Sequence, residues 1–201
     1  LAAGTPVWLG TAWAGTALAA GVAARGAMPR RVPLLAAAAS VAATSFFRDP
    51  DRRPGEGAVL APADGIVSMV ERRPDGRVRI ATYMSLRDVH VNRAPTDGVV
   101  RALVHIPGGY RPAFRKDSDR NERVFWTLET PLGEVELVQI AGVLARRIIP
   151  YRQPGERVAR GERIGLIRFG SRVDIVLPPG IDPALSVGDR VRAGLTRLDR
   201  P

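Results

Sequence analysis

The chain contains no cysteine. That absence removes disulfides, thiolate nucleophiles, iron–sulfur clusters and cysteine-ligated zinc together. Histidine is nearly missing too, with only His90 and His105. A histidine-rich metal site is therefore not expected, no metal is assigned, and an imidazole base has two candidates. Lysine occurs once, at Lys116, within the polar run 115–123. An amine is hard to desolvate there, which argues against lysine Schiff-base chemistry and against a biotin or lipoyl carrier. Aromatic residues are 5% of the 201 and do not interleave with basic ones, so no nucleic-acid partner is expected.

What the chain has in excess is arginine, which carries almost all of a net charge of +10. Most of it reads as ordinary solvated surface; beyond that, it suits an anionic lipid surface. Residues 1–24 carry no charge. As a helix, 7–24 would rise about 27 Å, close to the ~30 Å hydrocarbon core of a bilayer. A basic connector with Arg25, Arg30 and Arg31 leads to a second uncharged run, 32–47, rich in alanine. Residues 1–47 are thus expected to form N-terminal apolar membrane helices, the second run spanning a thinned bilayer, re-entering it or lying at the interface, and to hold the chain at the cell membrane peripherally or as an anchor; a cleaved signal peptide is the competing reading of the first run.

From Arg48 the pattern changes. Proline and glycine punctuate short valine-rich segments without a sustained period of 3.6, which predicts strands over 76–84, 124–129, 134–140 and 172–177. Turns are expected at Pro74-Asp75-Gly76 and Pro107-Gly108-Gly109. The spacing of Gly155, Val158, Gly161, Ile164 and Gly165 suggests tight hairpins with inward aliphatics. The expected fold is a mostly β, barrel-sandwich-like domain over 48–201 with few short helices.

Three places could carry chemistry. At Gly170-Ser171 a glycine leaves its carbonyl unshielded before a hydroxyl. A hydroxyl held against that carbonyl can attack it, and acyl shift, β-elimination and hydrolysis would convert the serine into a pyruvoyl group, an electrophile that needs no lysine. In an extended 85–95 segment (SLRDVHVNRAP), Asp88, His90 and Asn92 would share a face, suiting an imidazole oriented by a neighbour. The APADG turn at 61–65 presents Asp64. Each has an ordinary structural reading: a turn, a hydrogen-bonded histidine in a strand, and an Asx-turn.

Taken in order, FFRDP (46–50), APADG (61–65), SLRDVHVNRAP (85–95), IPGG (106–109), NERV (121–124) and IGLIRFGSRVDIVLP (164–178) resemble the phosphatidylserine decarboxylase family, in its short form. The resemblance covers about residues 46–180 and implies cleavage after Gly170 into a large chain 1–170 and a small chain 171–201, held together as a heterodimer. Higher homo-oligomers stay open. It implies further that Ser171 becomes a covalent pyruvoyl cofactor, and that Asp64, His90 and Ser171 form the relay for self-cleavage. The substrate would be phosphatidylserine in the membrane, whose amine would condense with the ketone before carbon dioxide leaves, giving phosphatidylethanolamine. Longer members carry a second histidine three residues after the first, where this chain has Arg93, and their LGST is FGSR here. His105 matches nothing catalytic. The alternative is a non-catalytic, membrane-tethered barrel-sandwich adaptor, which the repeated GERV and GERIG phrases fit; a zinc peptidase would want more histidines.

Overall fold

The computed structural model describes residues 1–3, 5, 8–26, 29, 31–111, 119–142, 147–168 and 171–200. Lys116, Phe169 and Gly170 lie outside them. The chain divides into two compact units, Leu1–Asp49 and Pro50–Pro201.

The first unit holds two helices, α1 (Trp8–Ala24) and α2 (Arg31–Phe46). Pro33 falls in the first turn of α2, where its missing N–H costs nothing. Polar groups tie the pair: the Trp13 indole donates to Thr44 Oγ1 at 2.9 Å, and the Thr16 and Ser40 hydroxyls lie 3.1 Å apart. Among the described residues no helix is long and apolar enough to cross a membrane. This overturns the expected N-terminal membrane helices, and with them the anchoring at the cell membrane through residues 1–47. The reason is that absence of charge is not apolarity. Of the 17 residues of α1, seven are alanine, three glycine and two threonine. The helix also rises only about 25 Å, and a span takes about 20 predominantly apolar residues.

The second unit is all β among its regular elements: β1 (Gly65–Arg72), β2 (Val78–Met84), β3 (Val91–Arg93), β4 (Gly98–Ile106), β5 (Arg123–Thr130), β6 (Gly133–Ala141), β7 (Ile148–Pro150), β8 (Arg157–Val158), β9 (Arg163–Ile167), β10 (Ser171–Leu177) and β11 (Arg190–Val191). An eight-stranded sheet runs β11-β1-β2-β10-β6-β5-β4-β8, and a three-stranded sheet runs β3-β9-β7. The β1–β2 connection is the expected Pro74-Asp75-Gly76 turn, where Gly76 takes φ +80° and its N–H donates to the Arg73 carbonyl at 3.0 Å. Between β5 and β6 the register pairs Thr130 with Gly133, leaving a two-residue loop.

The core follows from period-two alternation. Along β10, Val173, Ile175 and Leu177 point into one buried cluster with Ile80, Leu137, Trp126, Ile164 and Ile167. Each such side chain contributes about 1.5–3 kcal/mol on burial. Val158 and Ile164 are buried, as the glycine spacing implies, but they do not belong to one hairpin. β8 joins the large sheet beside β4, and β9 joins the small sheet between β3 and β7. Gly161, at φ +78°, turns the chain from one sheet to the other.

Candidate active site

Ser171 opens β10, the strand held between β2 and β6, and stands opposite Met84 on one side and Ala141 on the other. It is completely buried. Alternation puts its side chain on the core face with Val173 and Ile175. The hydroxyl lies 3.3 Å from Met84 Sδ. A thioether is a weak acceptor, so the hydroxyl proton is loosely held.

His90, also completely buried, sits between a tight turn at 85–88 and the start of β3. That turn is closed by Asp88, whose Oδ2 accepts from the Ser85 amide at 2.8 Å and the Ser85 hydroxyl at 2.7 Å. Asp88 Oδ1 takes Arg190 Nη1 at 3.2 Å. The Asp88 carboxylate is thus engaged by the turn and by β11. The neighbour that orients the imidazole is instead the Asp88 backbone carbonyl, 3.0 Å from Nδ1. A carbonyl only accepts, so Nδ1 is the donor of this bond, and whenever the ring is neutral the lone pair is on Nε2. His90's own carbonyl accepts from the Ile167 amide at 3.3 Å, and β3 then pairs with β9. The histidine segment is therefore laced to the strand that leads toward Ser171.

Asp64 precedes β1. Arg52 grips it with two hydrogen bonds, Nη1 to Oδ1 at 2.5 Å and Nη2 to Oδ2 at 2.8 Å, and the Ala193 amide adds a third at 2.8 Å. Its described contacts include neither His90 nor Ser171. The next residue, Gly65, takes φ +150°, and a Cβ there would meet the Tyr83 carbonyl oxygen at 2.1 Å. Only glycine lets β1 approach β2 so closely at this end. Arg93, standing where longer family members carry a histidine, is buried and donates to the carbonyls of Gly161 at 2.8 Å and Pro50 at 2.9 Å. It ties two loops and cannot accept a proton. His105 is exposed, with Nε2 3.1 Å from Glu122 Oε1.

Four features escaped sequence reasoning. One is Arg52 as the partner of Asp64, which comes from a segment without periodicity. A second is Met84 against Ser171. The third is Asn121 of the NERV motif, fully buried, whose Nδ2 donates to the carbonyls of Arg111 and Ala141, each at 2.7 Å. It thereby holds the end of β6 that pairs with Ser171. The fourth is a buried charge cluster on the sheet face opposite Ser171. Asp174, completely buried, accepts from Arg79 and from Arg172, and both arginines also reach Asp119. Burial works to raise the Asp119 carboxyl, but Arg172 and then Arg79 outweigh it and hold it below its ordinary value. The alternation in Ser171–Leu177 was the available signal, since it separates Arg172 and Asp174 from the apolar residues. A cleft of about 230 Å³ lined by Arg73, Arg79, Asp119 and Arg123 opens on that same outer face, away from the Ser171 side chain.

The comparisons with known proteins agree with the motif order. The family described as phosphatidylserine decarboxylase matches residues 40–199. A phosphatidylserine decarboxylase proenzyme of Thermobifida fusca is 56% identical over 203 residues, covering 100% of this chain and 92% of its own length. One from Streptomyces griseus is 58% identical over 155 residues, 77% of this chain and 72% of the relative. One from Streptomyces avermitilis is 50% identical over 199 residues, covering 88% of this chain and 93% of the relative. With the matched region spanning both sheets, His90 and Ser171, the chain belongs to the phosphatidylserine decarboxylase family.

Proposed function

We propose that the chain cuts itself between Gly170 and Ser171 and then decarboxylates phosphatidylserine to phosphatidylethanolamine. The relatives named above carry the word proenzyme, which supports processing of a precursor into two chains. The observation that carries the reading here is the Ser171 hydroxyl, buried at the first position of β10 with a thioether beside it. An adaptor module has no need of such a group, and the family match favours the enzyme.

Ser171 Oγ attacks the Gly170 carbonyl carbon while Nε2 of His90 takes the hydroxyl proton. The Gly170 C–N bond breaks, the proton passes to the freed nitrogen of Ser171, and an ester joins Gly170 to the serine oxygen. Loss of the Ser171 Cα proton then breaks the Cβ–O bond. Gly170 leaves as a carboxylate, and the small chain 171–201 is left with dehydroalanine at its start. Water converts that residue to a pyruvoyl group and ammonia. Residue 171 itself holds the group covalently, and the atoms of the group come from Ser171 and water alone, so the residues present fit. Once formed, the group supplies a ketone conjugated to an amide, the electron sink that loss of carbon dioxide from an amino acid needs.

Around it the chain's own residues have separable tasks. His90, fixed by the Asp88 carbonyl, moves a proton at Nε2. Asp64, ion-paired with Arg52, fixes the segment entering β1. The large chain 1–170 and small chain 171–201 stay associated because β10 lies between β2 and β6 of the large chain.

Denaturing electrophoresis with intact mass tests the reading. Two chains are expected, the smaller blocked at its N-terminus and labelled by borohydride plus an amine. Ser171→Ala is expected to give one uncut chain without activity. A functional polypeptide that is uncut, with serine still at 171, would sink the assignment. Turnover on phosphatidylserine vesicles but not on free serine is the expected substrate preference.

A further inference from the structure

We propose that Trp126, Gln139 and Asn92 form a buried positioning relay that presents Met84 to the Ser171 hydroxyl and keeps the His90 segment in register with β10. The inference rests on the reading of Ser171 as the self-cleavage nucleophile.

The relay runs from the middle of the large sheet to the small one. Trp126 Nε1 donates to Gln139 Oε1 at 2.8 Å, Gln139 Nε2 donates to Asn92 Oδ1 at 2.7 Å, and Asn92 Nδ2 points to Met84 Sδ at 3.8 Å. The same sulfur faces the Ser171 hydroxyl at 3.3 Å. All five residues are at most 1% exposed.

The polarity of this chain of contacts is set at one end. An indole N–H can only donate, so the Gln139 oxygen must face Trp126. That turns the Gln139 amide nitrogen toward Asn92, which in turn must offer its oxygen to Gln139 and its nitrogen to the sulfur. Met84 is left as acceptor for both Asn92 and Ser171. Before reaction the serine proton is directed to the sulfur, a weak acceptor that gives it up to Nε2 of His90 as an Oγ lone pair attacks. Reversing either amide would put two donors or two acceptors face to face among fully buried side chains, which is costly.

The placement also joins the two sheets beside the site. Gln139 is on β6 and Met84 on β2, both in the large sheet, whereas Asn92 is on β3 in the small one. Asn92 follows His90 by two residues, so the Gln139–Asn92 bond ties the histidine segment to the sheet that carries Ser171. Close approach of the amide needs room on β9: a Cβ at Gly165 would sit 2.9 Å from the Ile149 carbonyl oxygen and 3.0 Å from Gln139 Nε2. Aliphatic residues would fill these core positions at less desolvation cost. What an aliphatic residue cannot do is fix the direction of a hydroxyl proton.

The test follows the rate at which freshly made full-length chain splits, by denaturing electrophoresis, alongside the melting temperature. Gln139→Leu and Asn92→Leu are expected to slow splitting about a hundred-fold. Trp126→Phe keeps most of the ring and removes only the orienting donor; about ten-fold is expected, and it serves if the leucine variants do not fold. Gln139→Glu should restore splitting to within about five-fold, because a buried carboxyl stays protonated and reproduces both hydrogen bonds. Val78→Ala, in the core at the far end of β2 opposite Leu177, supplies a destabilised control with no relay contact. The relay is overturned if folded Leu and Phe variants split at the wild-type rate. It is equally overturned if Val78→Ala slows splitting as much at a matched loss of melting temperature, or if Gln139→Glu is as slow as Gln139→Leu. If wild type itself does not split, the Ser171 reading fails and the relay with it; splitting wild type beside unaffected variants removes the relay alone.

Discussion

At the residue scale, the chemistry depends on which partner each polar atom meets. Ser171 meets a sulfur, His90 Nδ1 meets a carbonyl, and Asp64 meets a guanidinium. Each contact decides a hydrogen-bonding role that residue type alone leaves open. The Arg52–Asp64 pair is nearly buried, with side chains 10% and 11% exposed. Removing one partner of such a pair strands the other charge, at about 3 kcal/mol. Arg52→Ala is therefore expected to lower the unfolding free energy read from urea titration by that amount, while Arg52→Lys recovers part of it and loses the two-point grip. Asp64, His90 and Ser171 were legible as candidates because each sits in a short motif. Their partners were not, since Arg52, Met84 and Ala193 are brought in by the fold from distant or unpatterned stretches.

At the element scale, strand alternation was readable and strand pairing was not. All four expected strands exist, with ends shifted by at most two residues. The GERV and GERIG phrases, however, went to different sheets, because a glycine turn permits a hairpin or a crossing and only the partners available for β8 and β9 choose. The last segment of the chain is held by a comparable choice. Asp199 accepts from the Val59 amide at 2.9 Å and from Arg197 Nη2 at 2.8 Å, fastening the C-terminal stretch to residues 58–60. Burial pushes its carboxyl up, but the Arg197 hydrogen bond and the Val59 amide more than offset that and hold it below the ordinary 3.8. A carboxyl depressed on folding contributes fully above its unfolded value and loses that contribution as pH falls through the lower folded value. Urea titrations between pH 6 and pH 2 should show this acid loss. Asp199→Asn should cost about 1 kcal/mol at pH 6 and flatten the acid limb, the solvent nearby keeping the figure modest.

At the scale of the whole molecule, the two units divide the labour. Asp64, His90, Ser171 and the relay residues all belong to Pro50–Pro201. A chain reduced to 50–201 is expected to melt cooperatively and to split within about two-fold of the full-length rate, measured by circular dichroism and electrophoresis; failure to split would show that the helical unit is needed for processing. The sequence by itself determined the β character of this unit, the family motifs in their order and the exclusion of cysteine chemistry. Those are properties of residue type and short-range spacing. It misled at the N-terminus, where lack of charge stood in for apolar length. Only the tertiary structure decided that Asp88 orients His90 through its carbonyl, that Arg93 ties loops, and that a donor-only indole on β5 sets the polarity of the groups leading to Ser171. Hydrogen-bond direction depends on which donors and acceptors meet across strands far apart in the chain, and no local pattern encodes that meeting.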